Sequence, residues 1–454
     1  MVLPAVRRVL RGAYDRVGPA PACSHRERRW LLLIVLTATA LRVAWVLYAA
    51  REPRGFHDPT LYGVFAARIA DGHGYTFANG EATTYYPVGY LGALGAVVRL
   101  VGLTPIPENI SMTAAVFNLV LGVGTVVLTF EVGRRLFDNR TGLIAAAVVA
   151  LWPNLIFHTA VILTETLFIF LVMAAVLVLV ALPESTKRIG WRRLAVFGVI
   201  LALSALVRPI SLMLLPVLLV VLVVAGTSWR LAIGYVGIAT LTVVLVLTPW
   251  TIRNVRETDS FVVISTNLGD NLCMSRHAGA TGAFQSGSAC IVRAKSLKRP
   301  EYEVEVNNTN IRRAVRFVRS HPLSEAKLVF LRGYHTVEND HDGLLASESY
   351  GANPFIPSVG RRVLEIVANG YFFITLVLGL LAVPAFLGRR RPWRLFFLLA
   401  AAALAVQPLI FFGDPRFHVP VLPFVAVLAA VLLTRTRSLF TARSDRAVTE
   451  TSRG

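Results

Sequence analysis

WLLLIVLTATALRVAWVLYAAREPRGFHDPTLYG, Trp30 to Gly63, decides the fold. Its opening portion, Trp30–Ala50, is an apolar run long enough to cross about 30 Å of hydrocarbon as a helix, a form in which every backbone group is satisfied internally. The chain then turns abruptly polar. Asp58 followed by Pro59 makes a good helix start, with Asp as the cap and proline at the first helical position. A membrane span thus ends with His57 and a carboxylate set against the lipid surface, where an amphipathic helix begins.

The remainder repeats the first of these features. With 454 residues, 55% hydrophobic and 16% charged, the chain has apolar runs that no soluble core of this size needs. Their continuity also excludes a transmembrane β-barrel, whose strands alternate. After Trp30–Ala50, spans are expected near 111–133, 142–158, 163–182, 194–207, 210–226, 231–250, 364–387, 393–412 and 418–435, about ten helices in all. The net charge of +20 comes almost entirely from arginine and reads as genome bias before nucleic-acid affinity. Its placement orients the spans. Arg7, Arg8, Arg11, Arg16, Arg26, Arg28 and Arg29, then Arg134/Arg135/Arg140, Lys187/Arg188/Arg192/Arg193, Arg230, Arg389–Arg391/Arg394 and Arg435/Arg437, all fall on one side. The positive-inside rule makes that side cytoplasmic, with both termini. The run after Arg29 is too long for a cleavable signal peptide.

Three regions follow: a basic cytoplasmic tail over 1–29, a transmembrane domain over 30–436, and a disordered tail over 437–454. Two long external loops, about 51–110 and 251–362, interrupt the domain. Apolar pieces at 60–71 and 88–101 are too short to span and are expected to lie on the interface. VNNTNIRRAVRFVRSH shows a similar amphipathic pattern, with Ile311, Val315 and Val318 on one face. Cys273 and Cys290 share the large loop while Cys23 is cytoplasmic, so one disulfide is expected, with two free thiols as the alternative. The chain holds no CxxC, HExxH, P-loop or GxGxxG, which removes support for zinc chemistry and nucleotide hydrolysis.

Against this topology, five charges stand at the external ends of spans: Asp58, Glu165 in HTAVILTETLF, Arg208 in ALVRPI, Arg253 in TPWTIRN and Arg416 in FFGDPRFHVPVLP. An ionisable group at membrane depth costs about 2.5–3.5 kcal/mol, so such groups face a cavity or a partner. Snorkelling to headgroups is the alternative for each arginine, and a helix-dipole charge is the alternative for Glu165. Pro209 and Pro415 hold Arg208 and Arg416 in irregular segments at helix ends. His57, His158 and His418 are further candidates, though lone interfacial histidines are more often satisfied polar groups. His335, Asp340, His341 and Asp342 in YHTVENDHDG match no metal-ligand spacing and read as a solvated loop.

Asp58 after the first span, ADGHGY (70–75), YYPVGY (85–90), LTE (163–165), VRP (207–209), TPWTIRN (248–254) and GDPRFHVPVLP (413–423) resemble, in order and topology, the GT-C glycosyltransferases. The protein O-mannosyltransferase and aminoarabinose lipid A transferase branch is the nearest in pattern, over about residues 30–436. NLGDNLCMSRHAGATG (267–282) resembles a loop of its bacterial members. The resemblance implies an all-α polytopic fold, a polyprenyl-phosphate-linked sugar as donor, and an acceptor outside the cytoplasm. It also implies that Asp58 is the catalytic base. Many relatives carry an acidic pair in that first loop. Here the neighbours are His57 and Pro59, so a divalent metal held by paired carboxylates loses its second ligand.

The chemistry suits the residues. A sugar phosphodiester departs as a phosphate monoester and needs no general acid, so one carboxylate suffices where a glycosidase uses two. Asp58 accepts the acceptor's proton and Glu165 orients the base or the sugar. Arg208, Arg253 and Arg416 take the charge growing on the phosphate. Tyr75, Tyr85 and Tyr86 offer flat faces for a sugar, or form an aromatic belt. A polytopic transporter or lipid flippase for anionic lipid-linked substrates is the rival reading, and a ligase joining lipid-linked glycans is a third. Mannose is the first expected sugar, with arabinose-type pentoses and galacturonic acid behind it. The acceptor is a lipid, a cell-envelope glycan or a protein.

Overall fold

The computed structural model describes residues 22–104, 109–183, 185–186, 188–285, 288–292, 298–387 and 391–434. The tail expected over 1–29 lies outside them up to residue 21, and the tail expected over 437–454 lies wholly outside. Six described helices are long and apolar enough to cross a membrane: His25–Ala49, Ile110–Leu136, Trp229–Thr258, Ser358–Ala385, Pro392–Ile410 and Pro415–Thr434. Asn139–Leu151 and Pro153–Ala160, bent by 60° to each other, are long and apolar enough only as a pair, and lie where the sequence places the third span. Glu165–Val180, Trp191–Val207 and Pro209–Val224 are shorter and also fall where the sequence places spans. Apart from isolated bridges such as Thr76 with Ala82, the described residues are helix and loop. This is an all-helical, multi-pass membrane protein.

Local chemistry sets the helix ends. Ser24 and Glu27 form a capping box that starts the first span at His25, before the expected Trp30. The Asn109 side chain accepts from the Met112 amide at 2.9 Å, and Asp138 from the Thr141 amide at 2.8 Å. The bend follows from Pro153, which has no N–H to offer the Val149 carbonyl. Arg42, fully buried in the first span, supplies donors there instead: its guanidinium reaches Ala150 O at 3.1 Å and Val149 O at 3.4 Å.

Glu165–Val180 lies at the centre, against Ile110–Leu136, Trp191–Val207 and Pro392–Ala405. Its 16 residues reach only about 24 Å at 1.5 Å per residue, some 6 Å less than a hydrocarbon core. Because successive spans alternate in direction, the ends carrying Asp58, Glu165, Arg208, Arg253 and Arg416 share one end of the bundle.

The two expected interface pieces form the helices Asp58–Ala70 and Gly89–Val101. Glycine brings them together and onto the bundle. A Cβ at Gly95 would lie 2.9 Å from the Ala66 carbonyl, and one at Gly89 would lie 2.6 Å from the backbone of Leu206, just before Arg208. The longer loop supplies Arg299–Ser320, Pro322–Val337 and the short Asp342–Ser347 helix. Cys273 and Cys290 are bonded, and Asn310 links the Cys290 carbonyl to Asp270, at 2.9 and 2.7 Å.

Candidate active site

The helix that opens the first long loop begins at Asp58, with His57 as its N-cap and Pro59 in its first turn. This shifts the expected cap by one residue and frees the Asp58 carboxylate, which has no capping amide to hold. It accepts instead from the Arg416 guanidinium at 2.6 Å, the Tyr86 hydroxyl at 2.8 Å and the Tyr62 hydroxyl at 3.4 Å. Tyr62 lies four residues on along the same helix face. The Asp58 side chain stays 29% exposed and so remains open to a ligand.

Arg416 is held by the turn before it. Asp414 accepts the Arg416 amide at 2.9 Å and Pro415 starts a short 3₁₀ turn. From there the guanidinium bridges Asp58 and the fully buried Glu165. Glu165 also pairs with Arg208, whose Nε donates to the Thr164 hydroxyl at 2.9 Å. Four charges from four parts of the chain therefore meet as a chain of alternating sign, Asp58, Arg416, Glu165, Arg208. The Arg208 Nη1 is buried without a partner.

Arg253 does not join them. Its guanidinium donates to the carbonyls of Thr83 at 2.7 Å and Tyr75 at 3.0 Å and lies 5.1 Å over the Trp250 ring. Of the three arginines expected together, the structure groups two, because main-chain carbonyls take the third. Its effect on the site is indirect. The Tyr75 hydroxyl contacts both the amide and the carbonyl of Tyr86 at 3.1 Å, so Arg253 braces the segment that points Tyr86 at Asp58. Glu303 braces the same segment from the other side, accepting from the Thr83 hydroxyl and the Thr84 amide, each at 2.7 Å. Burial pushes the Glu303 carboxyl above its ordinary range.

The other expected binders are placed variously. Tyr85 turns from Asp58 to Asp270, donating at 2.8 Å. The His57 ring packs beside Tyr350, with centroids 5.5 Å apart. His418 is structural: its ring lies 2.6 Å from the Thr336 carbonyl, 2.8 Å from Asp340 and stacked on Phe372. The 340–342 segment is not the solvated loop that its sequence suggests. Asp340 is fully buried and also accepts from Trp152 at 2.7 Å and Asn154 at 2.6 Å, tying the bend in the third span to the last one. Asp342 is buried against His158. Burial first, then the charge of Asp414, pushes the Asp342 carboxyl well above the usual range.

Burial, and next the Asp58 charge, also raises the phenols of Tyr62 and Tyr86, which keeps both as donors to that carboxylate. A divalent ion between Asp58 and Glu165 does not fit, since Arg416 occupies the bridging position with its own charge. The arrangement is one open carboxylate fixed by three hydrogen bonds, with two guanidiniums close by that Glu165 joins.

A model of the dolichyl-phosphate-mannose-protein mannosyltransferase family matches residues 101–252. No curated protein sequence matches the chain. Among solved structures, the chain resembles the archaeal oligosaccharyltransferase AglB from Archaeoglobus fulgidus, in complex with an inhibitory peptide and a dolichol-phosphate. The TM-score is 0.55 at 15% identity, covering 93% of this chain and 52% of that one. ArnT from Cupriavidus metallidurans bound to undecaprenyl phosphate also gives 0.55, at 14% identity, covering 93% and 63%. The chain thus spans about half to three-fifths the length of these relatives. Over nearly its whole length the chain shares the fold of AglB and ArnT, and residues 101–252 match the mannosyltransferase family model.

Proposed function

We propose that the chain is an inverting glycosyltransferase that moves a sugar from a polyprenyl-phosphate donor to a hydroxyl on an extracytoplasmic acceptor. The observation that carries this reading is the Asp58 carboxylate, open to a ligand and fixed 2.6 Å from an arginine that it shares with buried Glu165. In the reaction the acceptor oxygen attacks the anomeric carbon and gives its proton to Asp58. The bond from that carbon to the phosphate oxygen breaks, and the polyprenyl phosphate leaves with the electron pair. Negative charge grows on the phosphate as it departs, beside Arg416 and the free Nη1 of Arg208, which stabilise it without a general acid. Glu165 holds both arginines at that spacing.

The lipid phosphates in the AglB and ArnT structures support this donor class. The mannosyltransferase match favours mannose over arabinose-type or galacturonosyl donors. The acceptor is a lipid, a cell-envelope glycan or a protein. The clustering of basic residues at the opposite end of the bundle supports cytoplasmic termini and a site on the external face of a bacterial inner membrane. The test is to incubate membranes containing the chain with radiolabelled polyprenyl-phosphate sugars, wild type beside Asp58→Asn. Transfer falls by at least about 10²-fold in the variant, the lower end of general-base assistance; transfer at the wild-type rate sinks the mechanism.

A further inference from the structure

Next to the four-charge chain lies a polar pair that the transfer chemistry above leaves unused. His158 opens the 3₁₀ turn that ends the bent span, is 2% exposed, and has no hydrogen-bond partner on either ring nitrogen. Asp342 opens the Asp342–Ser347 helix, is 5% exposed, and its Oδ2 is sealed from the surface without a partner. The His158 Nε2 and Asp342 Oδ2 stand 3.8 Å apart, too far for a hydrogen bond. Their approach is built in. A Cβ on Gly343 would lie 3.0 Å from both the His158 ring and its backbone nitrogen, so glycine alone lets this helix start against the turn. The Gly343 amide donates to Asn154 at 2.9 Å, which fixes the register.

Buried polar groups almost always find partners. Here three groups from three parts of the chain lack them: the His158 ring, the Asp342 Oδ2 and the Arg208 Nη1. The charges of Glu165, Arg208 and Arg416 act on both His158 and Asp342, so the pair borders the same site. An oxygen about 2.8 Å from both Nε2 and Oδ2 meets the two at roughly a right angle, which a hydroxyl can do by donating to the carboxylate and accepting from the ring. A carboxylate and an imidazole together complement a sugar hydroxyl, which both donates and accepts.

We propose that His158 and Asp342 form a subsite that holds the sugar of the lipid-linked donor by its hydroxyls, separate from the arginines beside its phosphate. The proposal rests on the transferase reading above. Its test uses the full chain in lipid nanodiscs and compares binding of undecaprenyl phosphate with undecaprenyl-phosphate mannose, arabinofuranose and galacturonic acid. Wild type binds one sugar-bearing lipid at least about tenfold tighter than the bare phosphate lipid. In Asp342→Asn and in His158→Gln that preference collapses to about twofold, while bare-lipid affinity stays within about twofold of wild type. A deoxy analogue lacking the held hydroxyl is weakened for wild type but not for the variants. Two results overturn the subsite: variants that weaken both lipids equally, which marks a structural role, and variants that keep the preference, which puts the sugar elsewhere. A wild type that binds none of these lipids overturns the transferase reading, and the subsite with it.

Discussion

Replacing Arg416 with glutamine removes the one cation that Asp58 and Glu165 share. The cost is worked from the two ends separately. Asp58 is about a third exposed and keeps the Tyr86 hydroxyl at 2.8 Å, so losing its ion pair is a surface-scale effect of about 1 kcal/mol or less. Glu165 is fully buried and, among the described residues, keeps Arg208 as its remaining ion-pair partner. Removing a partner from a buried pair costs about 3–5 kcal/mol, and the surviving arginine holds this case to the low end. The variant is therefore less stable by about 3–4 kcal/mol. A reversible unfolding titration in mixed micelles reads this directly. In the transfer assay, loss of a charge-stabilising donor lowers the saturated rate by about 10²–10³. Arg416→Lys recovers part of the stability, because an ammonium still pairs with buried Glu165, but little of the rate, because it cannot meet the phosphate oxygens through a planar fork. An Arg416→Gln variant within about 0.5 kcal/mol of wild type would refute the claim that this cation holds the two acids together.

Arg253→Ala separates bracing from phosphate binding. Loss of two charge-assisted bonds to carbonyls lowers stability by about 1–3 kcal/mol, discounted for partial exposure, and slows transfer through Tyr86, while affinity for undecaprenyl phosphate stays within about twofold; a tenfold affinity loss by calorimetry would restore Arg253 to the phosphate site. The carboxyls of Asp342 and Glu303 are raised by burial, so the folded state holds their protons more tightly than the unfolded state does. Their contribution is fully present below the ordinary carboxylate range, near pH 4, and is lost as pH rises through the raised values; unfolding titrations from pH 4 to 8 show this falling component, and Asp342→Asn flattens part of it. Reducing the Cys273–Cys290 bond, which closes a loop of sequence separation 17, destabilises the long loop by about 3 kcal/mol, read as faster proteolysis within 251–362 and sparing of the spans.

The sequence exposes the four-charge chain because of where its members stand. Asp58, Glu165, Arg208 and Arg416 interrupt apolar runs, and a charge against such a background carries a cost that demands a partner. Arg253 gives the same signal, yet its partners are the carbonyls of Tyr75 and Thr83, and a main-chain acceptor leaves no trace in residue identity. Asp340 and Asp342 fail in the opposite way. They sit in a polar run, where a carboxylate implies no cost, and their burial arises only when Trp152, Asn154 and His158 fold onto them. Tyr62 was within reach, four residues beyond Asp58 on a helix that the pattern already marked. The spans were legible by length. The 60° bend was not, although Pro153 stood in view, because the guanidinium that makes it tolerable comes from 108 or so residues earlier.

That distance has a bearing on how the chain is made. Arg42 belongs to the span His25–Ala49, but the distant carbonyls it finally meets, Val149 and Ala150, are synthesised more than a hundred residues later. At about 5–20 residues per second, roughly 5–20 s pass in which the Arg42 guanidinium has the Ala38 carbonyl of its own helix but not its distant partners. Its final seating is thus postponed until the bent span arrives, and the order of insertion is not the order of assembly. A chain cut before residue 149 leaves this helix able to slide toward the interface, while one cut after residue 160 and released from the ribosome finds it locked.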